Sequence, residues 1–320
     1  SMFKLKLKKK TLTLEEKRRK KEILKKNLKN SRISYVMMAP YLLIFLTFTV
    51  TPVIMSFALS FTSFDMLESP KFIWLDNYVN LFLNDEVFLI ALKNTLILAV
   101  ITGPISYMMA FLFAWLINEL PKKIRWLMTL IFYAPSISGN AYLLWQLLFS
   151  SDRYGYINSF LINLGLIDSP IYWLKTPQYA LPILIIVQLW LSLGVSFLSF
   201  RAGLQTVNKE LYEAAAIDGI KNRWQELWHI TLPQMKPQLM FGAVMQITSS
   251  LGIGSVSISM FGQPSVEYSA HTILTHLLDY GSTNSTRLEM GYASAIATIL
   301  FFMMIISNLI IQKIIRRVGS

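Results

Sequence analysis

The chain has 320 residues, of which 54% are hydrophobic and 15% are charged, a balance that is not typical of a soluble domain of this length. It contains no cysteine, which excludes disulfides, thiolate metal sites and cysteine nucleophiles. The net charge is +12, and 14 of the 30 Lys and Arg residues lie in residues 1–34, just before a long apolar stretch. Basic residues beside a span indicate membrane topology and lipid headgroups rather than nucleic acid.

The basic segment 1–34 does not fit a cleaved secretory signal. Its charged region is too long, and the apolar stretch that follows exceeds 20 residues and lacks a small-residue cleavage site. Two interpretations stay open for this segment. It lies against an anionic lipid leaflet, or it is a solvated tail.

Six windows of the sequence contain no Asp, Glu, Lys, Arg or His and are long enough to cross a bilayer, which requires about 20 apolar residues. Helices satisfy their own backbone in lipid, and the windows do not alternate as the strands of a β-barrel would. The sequence therefore predicts an all-α polytopic membrane protein with six transmembrane helices. The windows are Tyr35–Phe61, Asn94–Asn118, Trp126–Phe149, Thr176–Phe200, Pro237–Met260 and Met290–Gln312.

The distribution of basic residues predicts the orientation of these spans. Six spans bring both termini to one side, and that side then carries 25 Lys and Arg residues against five on the other. The positive-inside rule assigns the basic side to the cytoplasm. We therefore expect a multi-pass plasma-membrane protein. Its parts are a cytoplasmic segment 1–34, a membrane domain 35–312 with its longest cytoplasmic loop at 201–236, and a cytoplasmic tail 313–320.

Prolines interrupt the first four predicted spans, and each proline removes a backbone hydrogen bond. Simple bending and a role in gating are both compatible with this pattern, whereas the sixth span has no proline and is expected to be straighter. The prolines in these four spans are Pro40, Pro52, Pro104, Pro135 and Pro182.

The outer stretch 261–289 has the Gly, Pro, Ser and Asn content of an external loop.

Motifs for catalysis and metal binding are not found in the sequence. There is no P-loop, no H-E-x-x-H, and no paired carboxylate within a span. His229, His271 and His276 all lie outside the spans, and a spacing of five between the last two is poor for one helical face. We therefore predict no catalytic residue, no metal site and no cofactor for this chain. Energy for uphill transport is expected from a partner.

The loop 201–236 contains two predicted helices separated by a glycine turn. Residues 213–217 are strong helix formers, and Gly219 is a natural helix stop. Pro233 is expected to end the second helix, and Pro237 to open the fifth span. The apolar face of the second helix needs a surface to pack on, either this chain's own helix ends or a partner. Its residues at helical spacing are Ile220, Trp224, Leu227 and Trp228.

The run from Glu213 to Pro237 resembles the signature loop of bacterial ABC importer permeases. It has the pattern Glu-Ala-Ala, three residues, Gly, and then Ile-x-Leu-Pro at the expected spacing. In that family the loop forms a cytoplasmic coupling helix that docks in a cleft of the ATPase subunit. The resemblance implies a type I ABC importer permease fold. It also implies ATPase-coupling roles for Glu213, Ala214, Ala215, Asp218, Gly219, Leu232 and Pro233.

Shorter stretches are similar to the carbohydrate-uptake branch of that family, the maltose and glycerol-phosphate type. The resemblance covers roughly residues 33–317, and the large outer domain that one maltose permease half carries between spans is not found. The matching stretches are Leu59-Ser60-Phe61-Thr62, Leu75-Asp76-Asn77-Tyr78, Asn94-Thr95 and Met290-Gly291-Tyr292-Ala293-Ser294-Ala295.

The resemblance also implies the partners of a transport subunit. These are a second permease subunit that forms a heterodimer with this chain, two ATPase subunits that bind ATP and Mg, and an extracellular substrate-binding protein. The chain itself is then not an enzyme, its surroundings are the lipid bilayer, and nucleic acid is not expected as a partner.

The spans carry no ionisable side chain, so we expect a neutral ligand, and with the resemblance this predicts a neutral sugar or oligosaccharide. Each neutral polar candidate has an alternative role, a hydrogen bond to its own backbone or to a neighbouring helix. Gln188 and Gln246 are favoured because a buried Gln needs several partners. The candidates for substrate contact are Asn140, Tyr142, Gln188, Trp190, Gln246, Ser249, Ser250, Tyr292, Ser294 and Thr298.

Two alternative functions stay open. The same architecture could import another solute, such as a polyol, glycerol phosphate or a peptide. A self-sufficient secondary transporter would need no ATPase and is expected to show an inverted repeat, of which the sequence gives no clear sign. A membrane enzyme is disfavoured because no catalytic constellation is found.

Overall fold

A computed structural model describes residues 31–282 and 288–316 of the chain. The predicted basic segment lies outside these ranges except for residues 31–34, and so does the end of the predicted tail, 317–320. The chain divides into two compact units, one ending at Met55 and the other beginning at Ser56. Within the described ranges almost all regular structure is helical, as predicted.

The helices are numbered here in chain order. The first unit contains α1 (Arg32–Phe45), π-helical residues Leu46–Val50 and the start of α2 (Thr51–Leu59). A short antiparallel hairpin follows, β1 (Thr62–Ser63) with β2 (Lys71–Phe72). The remaining helices are α3 (Asp76–Leu83), α4 (Glu86–Asn118), α5 (Lys122–Ile137), α6 (Tyr142–Leu148), α7 (Tyr156–Asn163), α8 (Pro177–Leu191), α9 (Gly194–Thr206), α10 (Lys209–Ile217), α11 (Arg223–Glu226), α12 (Leu232–Gln234), α13 (Lys236–Leu251), α14 (Ser255–Phe261), α15 (Ile273–Gly281) and α16 (Met290–Ile315). Leu227–Thr231 is π-helical and Val266–Tyr268 is a 3₁₀ turn.

Within the described ranges, five helical segments are long and apolar enough to cross a membrane. The number rises to six when the bent pair α5 and α6 is taken as one span. This agrees with the six predicted windows, five of which overlap segments without a sharp bend, although short breaks separate α8 from α9 and α13 from α14 within two of them. Those segments are Arg32–Leu59, Glu86–Asn118, Pro177–Thr206, Lys236–Phe261 and Met290–Ile315.

The third predicted span is not one continuous helix. α5 ends at Ile137, α6 begins at Tyr142, and the two helices meet at 86°. Pro135 removes a hydrogen bond from the last turn of α5, and Ser138 is extended, with φ −83° and ψ 110°. The predicted third span, Trp126–Phe149, is therefore broken, because the chain leaves the helix just after the proline.

The second and fourth helical segments run beyond the predicted apolar windows. α4 is 33 residues long and so spans about 50 Å, more than the roughly 30 Å of a hydrocarbon core. Its start is capped by Asp85, whose carboxylate accepts the N–H of Phe88 at 2.8 Å. α9 continues past the window to Thr206 and buries Arg201, which donates to the side chain of Asn118 at 3.1 Å.

Three of the family-like stretches meet at the β-hairpin. The Asn77 side chain, on α3, donates to the carbonyls of Ser60 and Thr62, both at 2.9 Å. Tyr78 donates to the Ser60 hydroxyl at 2.7 Å. Gly291 closes the same corner, since its N–H donates to the carbonyl of Phe64 at 3.0 Å. These hydrogen bonds fix the chain that follows the first span against the start of α16.

The remaining family-like stretch, Asn94-Thr95 on α4, fixes the outer segment before α15. The Asn94 amide donates to the carbonyls of Tyr268 and His271, at 3.2 and 2.9 Å. The Thr95 hydroxyl accepts the N–H of Ile273 at 2.9 Å. The predicted loop 261–289 therefore contains a short helix whose N-terminus is bonded to α4.

Candidate functional site

The predicted coupling helix is formed by α10, and both of its ends are capped locally. Asn208 accepts the N–H of Glu210 at 3.1 Å at the N-terminus. At the C-terminus Ile220 N–H donates to the carbonyl of Ala215 at 3.0 Å and Gly219 N–H to that of Ala216 at 3.4 Å. This is a Schellman motif, and Gly219 has the positive φ, +96°, that the motif requires. The predicted glycine stop is confirmed.

α10 presents most of its surface outward. Glu213, Ala214 and Asp218 are exposed, whereas Ala215 is buried against the rest of the chain. Ile217, at the tip, is 88% exposed. Glu213 forms no ion pair with any described residue. An exposed helix tip with an apolar side chain and an unpaired carboxylate is suited to docking against another protein.

The second helix of the loop differs from its prediction in where it ends. Helical structure runs from Arg223 to Gln234 and passes through Pro233, so Pro233 does not end it. The segment before the proline, Leu227–Thr231, is π-helical, so its backbone hydrogen bonds join residues five apart instead of four. The change occurs just before Pro233, which has no N–H to donate. Pro237 does open the next span, within the first turn of α13, as predicted.

The apolar face of this second helix is only partly covered. Leu227 and Ile230 are buried, and Leu232 and Pro233 are half-buried, whereas Trp224 and Trp228 remain 60% and 57% exposed. The first alternative, packing on the chain's own helices, holds for Leu227 and Ile230. Packing on a partner chain stays a prediction for the exposed surface of the two tryptophans.

Contacts with α4 hold the loop in position. Arg223 forms an ion pair with Glu119, just after α4, at 2.7 Å, and the Trp224 ring lies 5.4 Å from that of Trp115. Tyr212 and Thr231 share a hydrogen bond of 2.8 Å that joins α10 to the second helix. A cleft of about 570 Å³ opens between the loop and the end of α4, with Glu213 on its lining. These contacts join the loop directly to the end of α4.

The two favoured substrate candidates both bond to neighbouring helices. Gln188, on α8, is 6% exposed and donates to the Ser249 hydroxyl at 3.1 Å. Gln246, on α13, is 3% exposed and donates to the carbonyl of Ser192 at 2.8 Å. The side-chain oxygen of Gln246 is buried and has no hydrogen-bond partner among the described residues. Gln246 and Ser250 also line an apolar cleft of about 590 Å³ beside α4 and α16.

The other substrate candidates lie in three separate places. Asn140 is exposed in the break between α5 and α6, next to half-buried Tyr142. Trp190 contacts Trp145, with ring centroids 5.8 Å apart. On α16 the Thr298 hydroxyl donates to the carbonyl of Ser294, so it is used within its own helix. The candidates do not form one cluster.

Tyr292, the remaining candidate, belongs to a polar cluster that sequence reasoning missed. Its hydroxyl donates to Asp85 at 2.8 Å, and the same oxygen of Asp85 lies 2.9 Å from Nε2 of His276. Burial by itself would raise the pKa of the Asp85 carboxyl. Hydrogen bonds from His276, the Phe88 N–H and Tyr292 outweigh it and lower that pKa to about 2.

The two outer histidines meet in this cluster. His271 precedes α15 and His276 lies in its first turn, with Nε2 of the first 3.3 Å from Nδ1 of the second. Their spacing of five is poor for one helical face, but the two residues do not share a helix. The only signal in the sequence was the presence of histidine and aspartate in an otherwise sparsely charged outer segment.

The fold and the loop together point to a known class of membrane protein. Residues 92–320 match the family of binding-protein-dependent transport system inner membrane components. The chain belongs to this family. It is a multi-pass inner-membrane permease component of a binding-protein-dependent ABC importer, and its role is that of a transport subunit.

Similar proteins cover almost the whole chain. A probable ABC transporter permease protein of Bacillus subtilis (strain 168), YesP, is 33% identical over 288 residues, or 89% of this chain and 91% of that protein. The arabinooligosaccharides transport system permease protein AraP of the same organism is 30% identical over 282 residues, covering 88% and 87%.

A solved structure confirms the predicted permease fold. It is a bacterial ABC transporter involved in the import of the acidic polysaccharide alginate, and it matches this chain with a TM-score of 0.72 at 27% identity. The match covers 93% of this chain and 99% of that chain.

Proposed function

We propose that this permease imports a neutral sugar or oligosaccharide. The observation that carries the proposal is similarity over almost the full length to a permease named for arabinooligosaccharide transport. The apolar windows at the centre of the spans carry no ionisable side chain, which favours an uncharged ligand. Gln188 and Gln246 are proposed as contacts, because both are buried amides within apolar membrane segments.

An acidic sugar is a second candidate, since the matched structure comes from an importer of the acidic polysaccharide alginate. To separate the two, the permease is reconstituted with its sister permease, ATPases and binding protein in proteoliposomes. We expect ATP-dependent uptake of labelled neutral oligosaccharide that excess alginate oligosaccharide does not inhibit. Uptake of the acidic ligand alone would contradict the first proposal.

The proposed substrate contacts are tested in the same system. Gln246→Ala and Gln188→Ala should each lower uptake while leaving the subunits co-purifying. Gln234→Ala is the matched control, because Gln234 is exposed and lies outside the spans. Full uptake by both variants would remove these residues from the pathway.

We further propose that the chain pairs with a sister permease, that both termini are cytoplasmic, and that α10 docks in a cleft of a partner ATPase that binds ATP and Mg. The outward face of α10 supports the docking, as do the roles of Ala214, Ala215, Asp218, Leu232 and Pro233 implied by the family resemblance. Glu213 is proposed to pair with a basic residue of the cleft. Loss of one partner of an interface charge pair costs about 2–5 kcal/mol.

Charge reversal tests the docking. Glu213→Lys should reduce co-purification of the ATPase and ligand-stimulated ATP hydrolysis at least tenfold, while the membrane domain still inserts. Glu210→Lys is the matched control, since Glu210 is exposed on the same helix but one turn earlier, bonded to Asn208 at 3.1 Å. Equal ATPase binding by Glu213→Lys and the unaltered chain would refute the docking.

A further inference from the structure

Three potential metal ligands converge at the outer segment around α15. Nε2 of His271 lies 3.1 Å from Oδ2 of Asp279 and 3.3 Å from Nδ1 of His276. The third separation, between Nδ1 of His276 and Oδ2 of Asp279, is 4.0 Å. The cluster therefore consists of two imidazole nitrogens and one carboxylate oxygen, each from a different residue of one short segment.

The size of this triangle fits a metal ion. Nitrogen and oxygen ligands lie about 2.0–2.2 Å from zinc, so neighbouring ligand atoms of a tetrahedral site are about 3.3–3.6 Å apart. Of the three observed separations, 3.3 Å lies in that range, 3.1 Å lies just below it and 4.0 Å lies above it. The donor set of two imidazoles and a carboxylate suits zinc and neighbouring transition metals rather than calcium or magnesium, which prefer oxygen ligands alone.

The groups around the cluster orient its ligands in the way that metal sites require. Asp85 bonds Nε2 of His276, and the other ring nitrogen, Nδ1, lies toward the other two ligands, as in metal sites where a carboxylate orients the ligating histidine. Tyr292 donates to the same oxygen of Asp85, and so fixes the carboxylate. The second oxygen of Asp279 accepts from the Gln263 amide at 2.5 Å.

Burial and charge agree with a bound cation. Both histidines are 2% exposed, and the side chains of Asp85 and Asp279 are 13% and 30% exposed. Two carboxylates that flank one buried histidine ring in a poorly solvated place favour a positive charge between them. No Lys or Arg forms an ion pair with either carboxylate among the described residues.

We propose that His271 Nε2, His276 Nδ1 and Asp279 Oδ2 bind a divalent transition metal ion, with zinc as the best-fitting ion. Three protein ligands leave a fourth position for water or a ligand from another chain. The site lies at the Asp85 end of α4, and the loop that contacts Glu119 lies at the other end of that helix. The ion would hold the segment from Gln263 to Asp279 as one unit against α4 and α16.

Zinc binding by the full chain, purified without a polyhistidine tag, tests this proposal. We expect one tightly bound zinc ion per chain by elemental analysis, and recovery of that stoichiometry when zinc alone is returned after chelation. His276→Gln and Asp279→Asn should weaken zinc binding by more than 100-fold in competition with a chromogenic chelator. Asp85→Asn, which removes only the orienting carboxylate, should weaken it by about 10–100-fold.

His229→Gln is the matched control, because His229 is exposed on the opposite loop and bonds the carbonyl of Gln225. Zinc retention equal to that of the unaltered chain is expected for it. Cobalt(II) in place of zinc should give the intense visible absorption of a four-coordinate site, lost in Asp279→Asn.

Absence of tight zinc binding by the unaltered chain would overturn the proposal, whatever the variants do. Equal zinc binding by the unaltered chain and the ligand variants would also overturn it, since hydrogen bonds alone would then hold the polar cluster together. Thermal unfolding with and without zinc shows whether each variant is folded. A stabilising shift is expected only where the three ligands remain.

Discussion

At the scale of single residues, two glycines mark places where the backbone requires the absence of a side chain for different reasons. Gly219 has a positive φ with nothing near its missing Cβ, whereas a Cβ on Gly291 would meet the backbone of Thr62 and Phe64. Gly219 is needed for its backbone conformation, whereas Gly291 is needed because a side chain has no room there. The two cases lead to different predictions.

Gly219→Ala should loosen the end of α10, the proposed coupling helix, without any clash. A side chain in the left-handed region costs roughly 1–2 kcal/mol, so the Schellman motif should open and co-purification of the ATPase should fall severalfold. Gly165→Ala is the control, because Gly165 has φ +67° and equally open surroundings but lies outside the coupling loop. Equal ATPase binding by both variants would separate the glycine turn from coupling.

Gly291→Ala should destabilise the membrane domain itself. The new methyl group would press on the Thr62 carbonyl and on the corner where Gly291 bonds Phe64. Overpacking of this kind costs about 1–3 kcal/mol, which should lower the thermal unfolding midpoint in detergent. Gly139→Ala is the control, since no atom lies within 4 Å of its Cβ position. Identical midpoints for the two variants would contradict the close approach.

At the scale of elements, the break between α5 and α6 is the feature with the clearest consequence. Backbone groups freed at a break inside a membrane protein persist only where protein or water satisfies them. The exposed Asn140 lies at this break, whereas Leu130 lies within α5 with its apolar side chain 46% exposed. The break is thus expected to face a wet cavity and the side of α5 to face lipid.

Single-cysteine labelling tests this expectation on a clean background, because the chain has no cysteine. Asn140→Cys should react with a water-soluble maleimide, and Leu130→Cys should not. A continuous third span would keep position 140 inside the apolar window, and both variants would then resist labelling.

At the scale of the whole molecule, the asymmetry of 25 basic residues against five predicts that both termini are cytoplasmic. A reporter enzyme active only outside the cytoplasm should be inactive when fused at residue 320. The same reporter fused after Tyr154, in a predicted outer loop, should be active. Activity at residue 320 would require an odd number of spans and would refute the proposed topology.

The sequence by itself determined the features that depend on short stretches of chain. Apolar windows of membrane length predicted where most of the spans lie, and the helix formers followed by Gly219 predicted α10 and its end. These features are set by propensity, capping and hydropathy within a few residues, so no distant contact was needed to predict them.

Only the tertiary structure decided the features that join distant parts of the chain. His276 and Asp85 are 191 residues apart in sequence, and Tyr292 and Asp85 are 207 apart, yet they share one cluster. The side-chain amides of Asn94 and Gln246 likewise bond carbonyls that are distant in sequence, those of His271 and Ser192. Whether a polar side chain stabilises packing, contacts substrate or binds a metal depends on which neighbours folding brings to it. Residue type and local spacing do not specify those neighbours.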